Sequence, residues 1–285
     1  FQLPVLPALT KLNLHGGGDD SWFPNLSAMT SLESLSWNNF VNSHLVSLTQ
    51  FLPPQIENIY MYGNLQPVLS DVELNALWTN MMKLTRLTKL KWVGISIPPF
   101  FVDWLKTSQV GALFGSVFCN QPDLAPLFAA SLPKMKHLRS LECVSGEWEW
   151  MAPVIQECTQ LTRLLVHVMP PQMSLLVPTL KNLHQLETLH IFSMEECVTP
   201  RAFYALSFPH LTSLMMEGIV ESDVPDLADF LARHGSLTGL SLRFVSATAF
   251  EASWSSIVSC PLLEELTIID MNVEDSFNYR VCLPR

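Results

Sequence analysis

The sequence predicts an α/β solenoid, with a parallel sheet on a concave face and helices on a convex face. Three observations predict it. A phrase L-x-x-L-x-h, with h an apolar residue, recurs down the whole chain. Its starts, at residues 9, 32, 56, 87, 110, 138, 161, 186, 211, 237 and 263, are 23 to 31 residues apart. Between the phrases lie stretches with helical rather than strand periodicity. About 11 repeats follow.

Each phrase is a short strand. It alternates apolar and polar residues at its centre, as a strand with one buried face does. The copies read Leu9-Leu12-Leu14, Leu32-Leu35-Trp37, Ile56-Ile59-Met61, Leu87-Leu90-Trp92, Leu138-Leu141-Cys143, Leu161-Leu164-Val166, Leu186-Leu189-Ile191, Leu211-Leu214-Met216, Leu237-Leu240-Leu242 and Leu263-Leu266-Ile268. A weak copy, Val110-Leu113-Gly115, stands where the spacing requires one.

The helices come next. Asp71 to Arg86 starts with acids and has apolar residues at helical spacing. Pro225 to His234 opens with Pro, continues with acids and stops at Gly235. Thr248 to Cys260 and Trp148 to Cys158 have the same character, and the Trp148-Glu149-Trp150 run should open a convex helix with at least one Trp buried. Pro122 to Ala130, Gln172 to Leu180 and Arg201 to Ser207 are shorter candidates. The stretch Phe40 to Pro54 resists assignment. Stacking in parallel buries every strand's apolar face. Helices about 10 Å wide beside strands about 4.8 Å apart should curve the stack.

Composition bounds the rest. The chain has 285 residues and 48% hydrophobic content, and the motif runs without a break. One elongated domain over 1–285 is expected. Residues 1–142 hold nine acidic and nine basic side chains, and residues 143–285 hold seventeen and seven. The C-terminal half therefore carries the whole net charge of −10. Nucleic acid and anionic membrane are disfavoured partners for it. No run is long and apolar enough for a transmembrane helix, and no signal peptide is visible. The chain opens at Phe1 directly into Leu-Pro-x-Leu, so it reads as a piece of a longer protein. Six cysteines lack any C-x-x-C; Cys143, Cys158 and Cys260 hold core-like places, which suits reduced thiols. An intracellular chain, cytoplasmic or nuclear, is expected. One sequon, Asn25-Leu26-Ser27, points the other way.

Period and phrase together are the signature of a leucine-rich repeat. Ser259-Cys260-Pro261-Leu262-Leu263-Glu264-Glu265-Leu266-Thr267-Ile268 resembles the helix-end and strand phrase of repeats in F-box proteins, and Glu157-Cys158-Thr159-Gln160-Leu161-Thr162-Arg163-Leu164 is similar. The resemblance covers the whole chain and implies a ribonuclease-inhibitor-like horseshoe. One departure matters. The ninth position of the phrase is often Asn or Cys in such repeats, but here it is Gly17, Phe40, Asn64, Ile95, Phe118, Gly146, Met169, Met194, Ile219, Val245 and Met271. Only Asn64 fits, which disfavours the extracellular receptor types. No F-box is visible in these residues.

Function follows from the columns. Positions 3, 5 and 7 of each phrase should face out, with 4 and 6 in the core. Tyr60, Tyr62, Lys89, Lys91 and Phe114 then form an aromatic and basic patch. Leu165, His167, His190, Phe192 and Met215 form a second patch, rimmed by Arg163, Glu217 and Arg243. Large apolar groups ringed by charge suit a protein partner. The expected function is protein recognition without catalysis and without a cofactor. As the resemblance implies, the chain would be the substrate-binding part of an F-box-type ubiquitin-ligase adaptor, meeting ligase components through a segment before Phe1. The alternative is a stand-alone scaffold or inhibitor of a partner protein.

A hydrolase or metal enzyme is the remote alternative. His167, His190, Glu142 and Glu217 are its candidate groups, but the two acids lie three strands apart, roughly 14 Å, too far to ligate one ion. His15-Gly16-Gly17-Gly18-Asp19-Asp20 lacks the Lys and Ser/Thr of a phosphate loop and reads as a turn. Lys83, Arg86, Lys89 and Lys91 read as a solvated face.

Overall fold

Leu32, Leu35 and Trp37 show how one repeat is built. All three are at most 2% exposed, while Ser34 and Ser36 between them are half-exposed. The sheet's inner face is made of such apolar columns, and its outer face of the residues between. The computed structural model describes residues 5–15, 20–40, 42–63, 69–93, 97–115, 125–143, 148–193, 201–270 and 278–282. They belong to two compact units, Phe1–Leu138 and Arg139–Arg285.

The first unit holds strands β1 (Lys11–His15), β2 (Ser34–Phe40), β3 (Asn58–Gly63), β4 (Lys89–Val93) and β5 (Ala112–Gly115). Each pairs in parallel with the next, in the register that aligns the phrases: Leu12 with Leu35, Leu35 with Ile59, Ile59 with Leu90, Leu90 with Leu113. The weak copy at Val110 is thus a true strand. The second unit holds β6 (Ser140–Cys143), β7 (Arg163–Val168), β8 (Thr188–Ser193), β9 (Ser213–Ile219), β10 (Gly239–Phe244) and β11 (Glu265–Asp270), again parallel in sequence order. A last strand, β12 (Asn278–Cys282), pairs antiparallel with β11. No repeat phrase announces it.

Helices separate the strands. In the first unit they are α1 (Asn42–Gln50), α2 (Asp71–Met81), α3 (Pro99–Leu105) and α4 (Ala125–Ser131), with a 3-10 helix over Asp20–Ala28. In the second they are α5 (Trp148–Ile155), α6 (Leu176–Leu180), α7 (Arg201–Tyr204), α8 (Val224–Arg233) and α9 (Ala247–Val258). The expected helices over 71–86, 148–158, 172–180, 201–207, 225–234 and 248–260 all appear, most of them shorter at the C-terminal end. A 3-10 turn over Pro170–Leu175 replaces the first part of the one expected at 172. The unassigned stretch from Phe40 holds α1. Its apolar residues Leu45 and Leu48 are buried, but no acid lies in its first turn. Trp150 is half-buried, and the side chain of Trp148 lies outside the described residues.

Aromatic rings tie the helices to the strands and to one another. Trp78 on α2 meets Trp92 on β4 with ring centres 6.0 Å apart, and Phe101 on α3 at 4.1 Å. In the second unit Phe203 on α7 stacks on Phe230 of α8 at 5.5 Å. Fully burying such a ring contributes about 2–3 kcal/mol. The core therefore lies between sheet and helices in each unit, and the outer sheet face stays open.

The backbone between helix and strand is also periodic. The N–H at position 1 of a phrase donates to the carbonyl three residues earlier, as Leu32 does to Met29, Leu161 to Cys158 and Leu237 to His234. The carbonyl at position 2 then accepts two N–H groups from the next repeat, those of positions 2 and 3. Glu187, for example, accepts from Thr212 and Ser213. Thr at position 2 adds a hydroxyl bond to the same carbonyl: Thr88 to Glu57 at 3.2 Å, Thr212 to Glu187 at 3.1 Å and Thr238 to Thr212 at 3.2 Å. These bonds satisfy the strand-entry backbone. At the other end of the strands, Ile219 in the ninth column is fully buried, and Met169 and Val245 are half-buried. Asn64, Gly17, Ile95, Phe118, Gly146, Met194 and Met271 of that column lie outside the described residues.

Candidate functional site

The outer strand face carries the residues expected to meet a partner. In the second unit β7, β8, β9 and β10 align Leu165 with His190 and His190 with Met215. His167 stands opposite Phe192, and Glu217 opposite Arg243. The His167 and Phe192 rings stack at 4.5 Å with 12° between their planes, and His190 meets Phe192 edge-on at 6.1 Å. All three are half-exposed, as is Met215. Together they form one aromatic cluster. Adjacent parallel strands place same-column residues about 4.8 Å apart, which is why two rings can stack there.

The cluster is polar at its edges. His190 Nε2 lies 3.5 Å from Ser213 Oγ. Burial, and secondly the nearby Arg163 charge, push the His190 pKa below its ordinary value. The imidazole is therefore neutral at pH 7 and presents a largely uncharged face. Arg163 itself is exposed and makes no ion pair among the described residues. Arg243 Nη1 approaches Glu217 Oε1 at 3.6 Å. Its Nε is buried without a hydrogen-bond partner.

Two expected surface residues are not at the surface. Leu165 and Glu217 are each only 8% exposed, which corrects the expectation that both face solvent. Leu165 stands in register between Glu142 and His190, which are both half-exposed. Glu217 precedes a break in the strand's alternation. Gly218 adopts φ of 80°, and the pairing of β9 with β10 shifts by one residue between Arg243 and Phe244. Residues 216–219 are consequently buried in succession. A bulge of this kind re-aims the side chains around it. Among the described residues no three His, Cys, Asp or Glu side chains converge to hold a metal ion.

In the first unit β3 and β4 align Asn58 with Lys89 and Tyr60 with Lys91. Lys91 Nζ lies 5.5 Å from the centre of the Tyr62 ring, a cation–π contact. Tyr60 and Tyr62 are half-exposed and Lys89 is exposed. Phe114 pairs with Lys91 through the β5 backbone; its side chain lies outside the described residues. Tyr60, Tyr62, Lys89 and Lys91 are thus brought onto one face.

Sequence reasoning caught only two members of one column, Cys158 and Cys260. The residue three positions before the phrase is buried in nine of the eleven repeats, as Met29, Pro53, Leu84, Met135, Cys158, Leu183, Phe208, His234 and Cys260, and exposed in the other two, as Leu6 and Thr107. Where it is buried and polar it donates to the carbonyl four residues earlier: Cys158 Sγ to Val154 at 3.6 Å, Cys260 Sγ to Ser256 at 3.7 Å and His234 Nδ1 to Phe230 at 2.7 Å. Those carbonyls belong to the last helical turn, which lacks partners of its own. Burial pushes the Cys158 thiol up to about 12 and that of Cys260 in the same direction. Such thiols are inert. Aligning the residues before the phrase as well as within it would have found this column.

No family model matches the chain, and no curated protein matches it. Among solved structures, the crystal structure of the leucine-rich-repeat-containing protein LegL7 from Legionella pneumophila is similar, with a TM-score of 0.46 and 12% identity over 88% of this chain and 90% of that one. The assignment to the leucine-rich-repeat fold rests on the strand register, the buried columns and the repeated strand–helix units.

Proposed function

We propose that this chain is a protein-recognition module that holds a partner on the outer strand face of its second unit. One observation carries this reading: the half-exposed cluster of His167, His190 and Phe192 on a rigid sheet. Stacked rings on strands are pre-organised, so a partner need not order them on binding. Aromatic groups at the centre of a contact contribute most of its energy. Arg163 and Arg243 supply polar contacts at the edge. The finer reading is that of an F-box-type adaptor, with this chain selecting substrates in a reducing, intracellular setting. It is supported by the repeat phrases at Cys158 and Cys260 and by the free, buried thiols of those two residues. A stand-alone scaffold or inhibitor on a ribonuclease-inhibitor-like frame is the second reading.

The double variant His190→Asp, Phe192→Ala tests the surface. Affinity purification followed by mass spectrometry should lose the partners seen with the unchanged protein, while circular dichroism stays the same. Partners retained by the variant would place the binding surface elsewhere. Purification of the full-length protein separates the two finer readings. Recovery of a cullin adaptor supports the ligase role, and its consistent absence favours the scaffold or inhibitor.

A further inference from the structure

Six large apolar residues are exposed among the described residues, and three of them, Trp254, Val258 and Leu262, lie on α9 or just beyond it. The helix carries a single charge, Glu251, and buries Ala249, Ser253 and Ile257. Thr248 marks the flank turned towards the preceding repeat, since its hydroxyl bonds the Glu221 carboxylate just before α8. Trp254 stands roughly 120° around the helix from Thr248, on the opposite flank, and Val258 lies one turn further along beside it. A ladder of rings leads there. Phe244 is buried on β10, Phe250 is half-buried and Trp254 is exposed, with ring centres 5.6 Å apart at each step. In earlier repeats the rings of one helix are covered by the next. Trp78 on α2 is buried against Phe101 on α3, and Phe203 on α7 against Phe230 on α8. No helix follows α9 among the described residues, and Trp254 is 42% exposed. The residue before the phrase is polar in nine of the other ten repeats, yet after α9 it is Leu262.

We propose that the free flank of α9, through Trp254, Val258 and Leu262, docks an amphipathic helix of a protein partner that carries basic residues beside its apolar stripe. The helix layer of a repeat stack is built by laying one helix against the last, so the flank already has the form that receives another. Trp254 and Val258 stand one turn apart, the spacing that an apolar stripe on a facing helix matches. An exposed Trp backed by packed rings is the kind of anchor that carries the energy of a contact. Charge selects the partner. Glu251 is exposed and makes no ion pair among the described residues. The second unit as a whole holds eighteen acidic against eight basic residues. That field draws in a basic helix and repels an acidic one. This surface belongs to the helix layer and is independent of the strand-face cluster of His167, His190 and Phe192.

Fluorescence anisotropy of labelled peptides with the purified chain tests this. The probe is a leucine–lysine peptide of about five helical turns, patterned for one apolar face. It is compared with a leucine–glutamate peptide of the same pattern and a leucine–lysine peptide in scrambled order. The patterned leucine–lysine peptide should bind at least tenfold more tightly than either. Trp254→Ser should weaken it at least tenfold with circular dichroism unchanged. Val258→Ser, a smaller change, should weaken it in the same direction and serves if loss of the tryptophan disturbs the fold. Glu251→Lys should narrow the preference for lysine over glutamate, and His190→Asp, Phe192→Ala should leave binding as it is. Equal binding of the scrambled or the glutamate peptide overturns the proposal, as does affinity that survives both Trp254→Ser and Val258→Ser. Two other occupants would also overturn it. A dimer in sedimentation that Trp254→Ser dissociates would make the flank a contact between copies of this chain. Trp254-dependent co-sedimentation with phosphatidylcholine vesicles would make it a lipid contact.

Discussion

His234 fills a place that most other repeats give to Met, Leu, Phe or Cys. It is 2% exposed. Its Nε2 accepts the N–H of Phe208 at 2.9 Å and its Nδ1–H donates to the Phe230 carbonyl at 2.7 Å. Those two bonds set the tautomer, and the ring stacks on Phe230 at 4.0 Å. One side chain therefore ties the ends of two successive repeats together. His234→Leu keeps the volume but strands a buried N–H, and should cost about 1–3 kcal/mol in denaturant titration. Burial holds the imidazole pKa below its ordinary 6.5, outweighing the opposing bond to Phe230. The unfolded chain then binds the proton more readily, so the stabilisation is complete above pH 6.5 and is lost as pH falls through and below that value. His190 shifts in the same direction and adds to the trend. The unchanged protein should lose more stability between pH 7.5 and 5.5 than His234→Leu does; equal losses would show that His234 is not the proton-sensitive group. None of this is legible in the residue itself, since His after Arg at a helix end reads as a solvated C-terminal cation. Arg233 beside it does sit there, donating to the carbonyls of Leu206 and Tyr204.

At the level of elements, the strands were the most legible. Every apolar phrase became a strand, because alternation of period two has one outcome when a face must be buried. Helix starts were readable where chemistry marks them. Ser70 caps α2 through a reciprocal pair of bonds with Glu73, and the acidic start was visible in sequence. The short helices were less so. α7 has four residues, and its length does not distinguish it from a turn. The β9 bulge could not be foreseen. Met215-Met216-Glu217-Gly218-Ile219 reads as continued alternation with a glycine in it, and the burial of Glu217 follows only once Gly218 turns to φ of 80°. A β-carbon at that angle is strained. Gly218→Ala should therefore lower stability by about 1–2 kcal/mol and disturb the Glu217–Arg243 pair. Thermal unfolding of Gly218→Ala checks this, and an unchanged midpoint would mean that the bulge relaxes without a penalty.

On the scale of the molecule, repeats stabilise one another by stacking, so position in the stack decides burial. Leu32, Leu35 and Trp37 are fully buried between neighbours, whereas Leu9, Leu12 and Leu14 of the first repeat are only half-buried. The same phrase therefore protects its strand less at that position. Hydrogen exchange should be faster at the β1 amides than at those of β3 by at least tenfold, and equal protection would mean that another element covers β1. Charge is divided on the same scale. The second unit carries the whole −10, while the first is balanced, with no Asp or Glu within β1 to β5. Local sequence, through the period of the phrase and the polarity of its columns, determined the strand–helix repeat, the parallel register and which face of each strand is apolar. Those properties depend on neighbours a few residues away. Only the tertiary structure decided which outward columns remain open. Leu165 is buried on an outward column between Glu142 and His190, Glu217 is drawn in by a bulge, and His167 stacks on Phe192 one strand away. Such contacts join residues more than twenty positions apart, and their geometry exists only when adjacent repeats are packed.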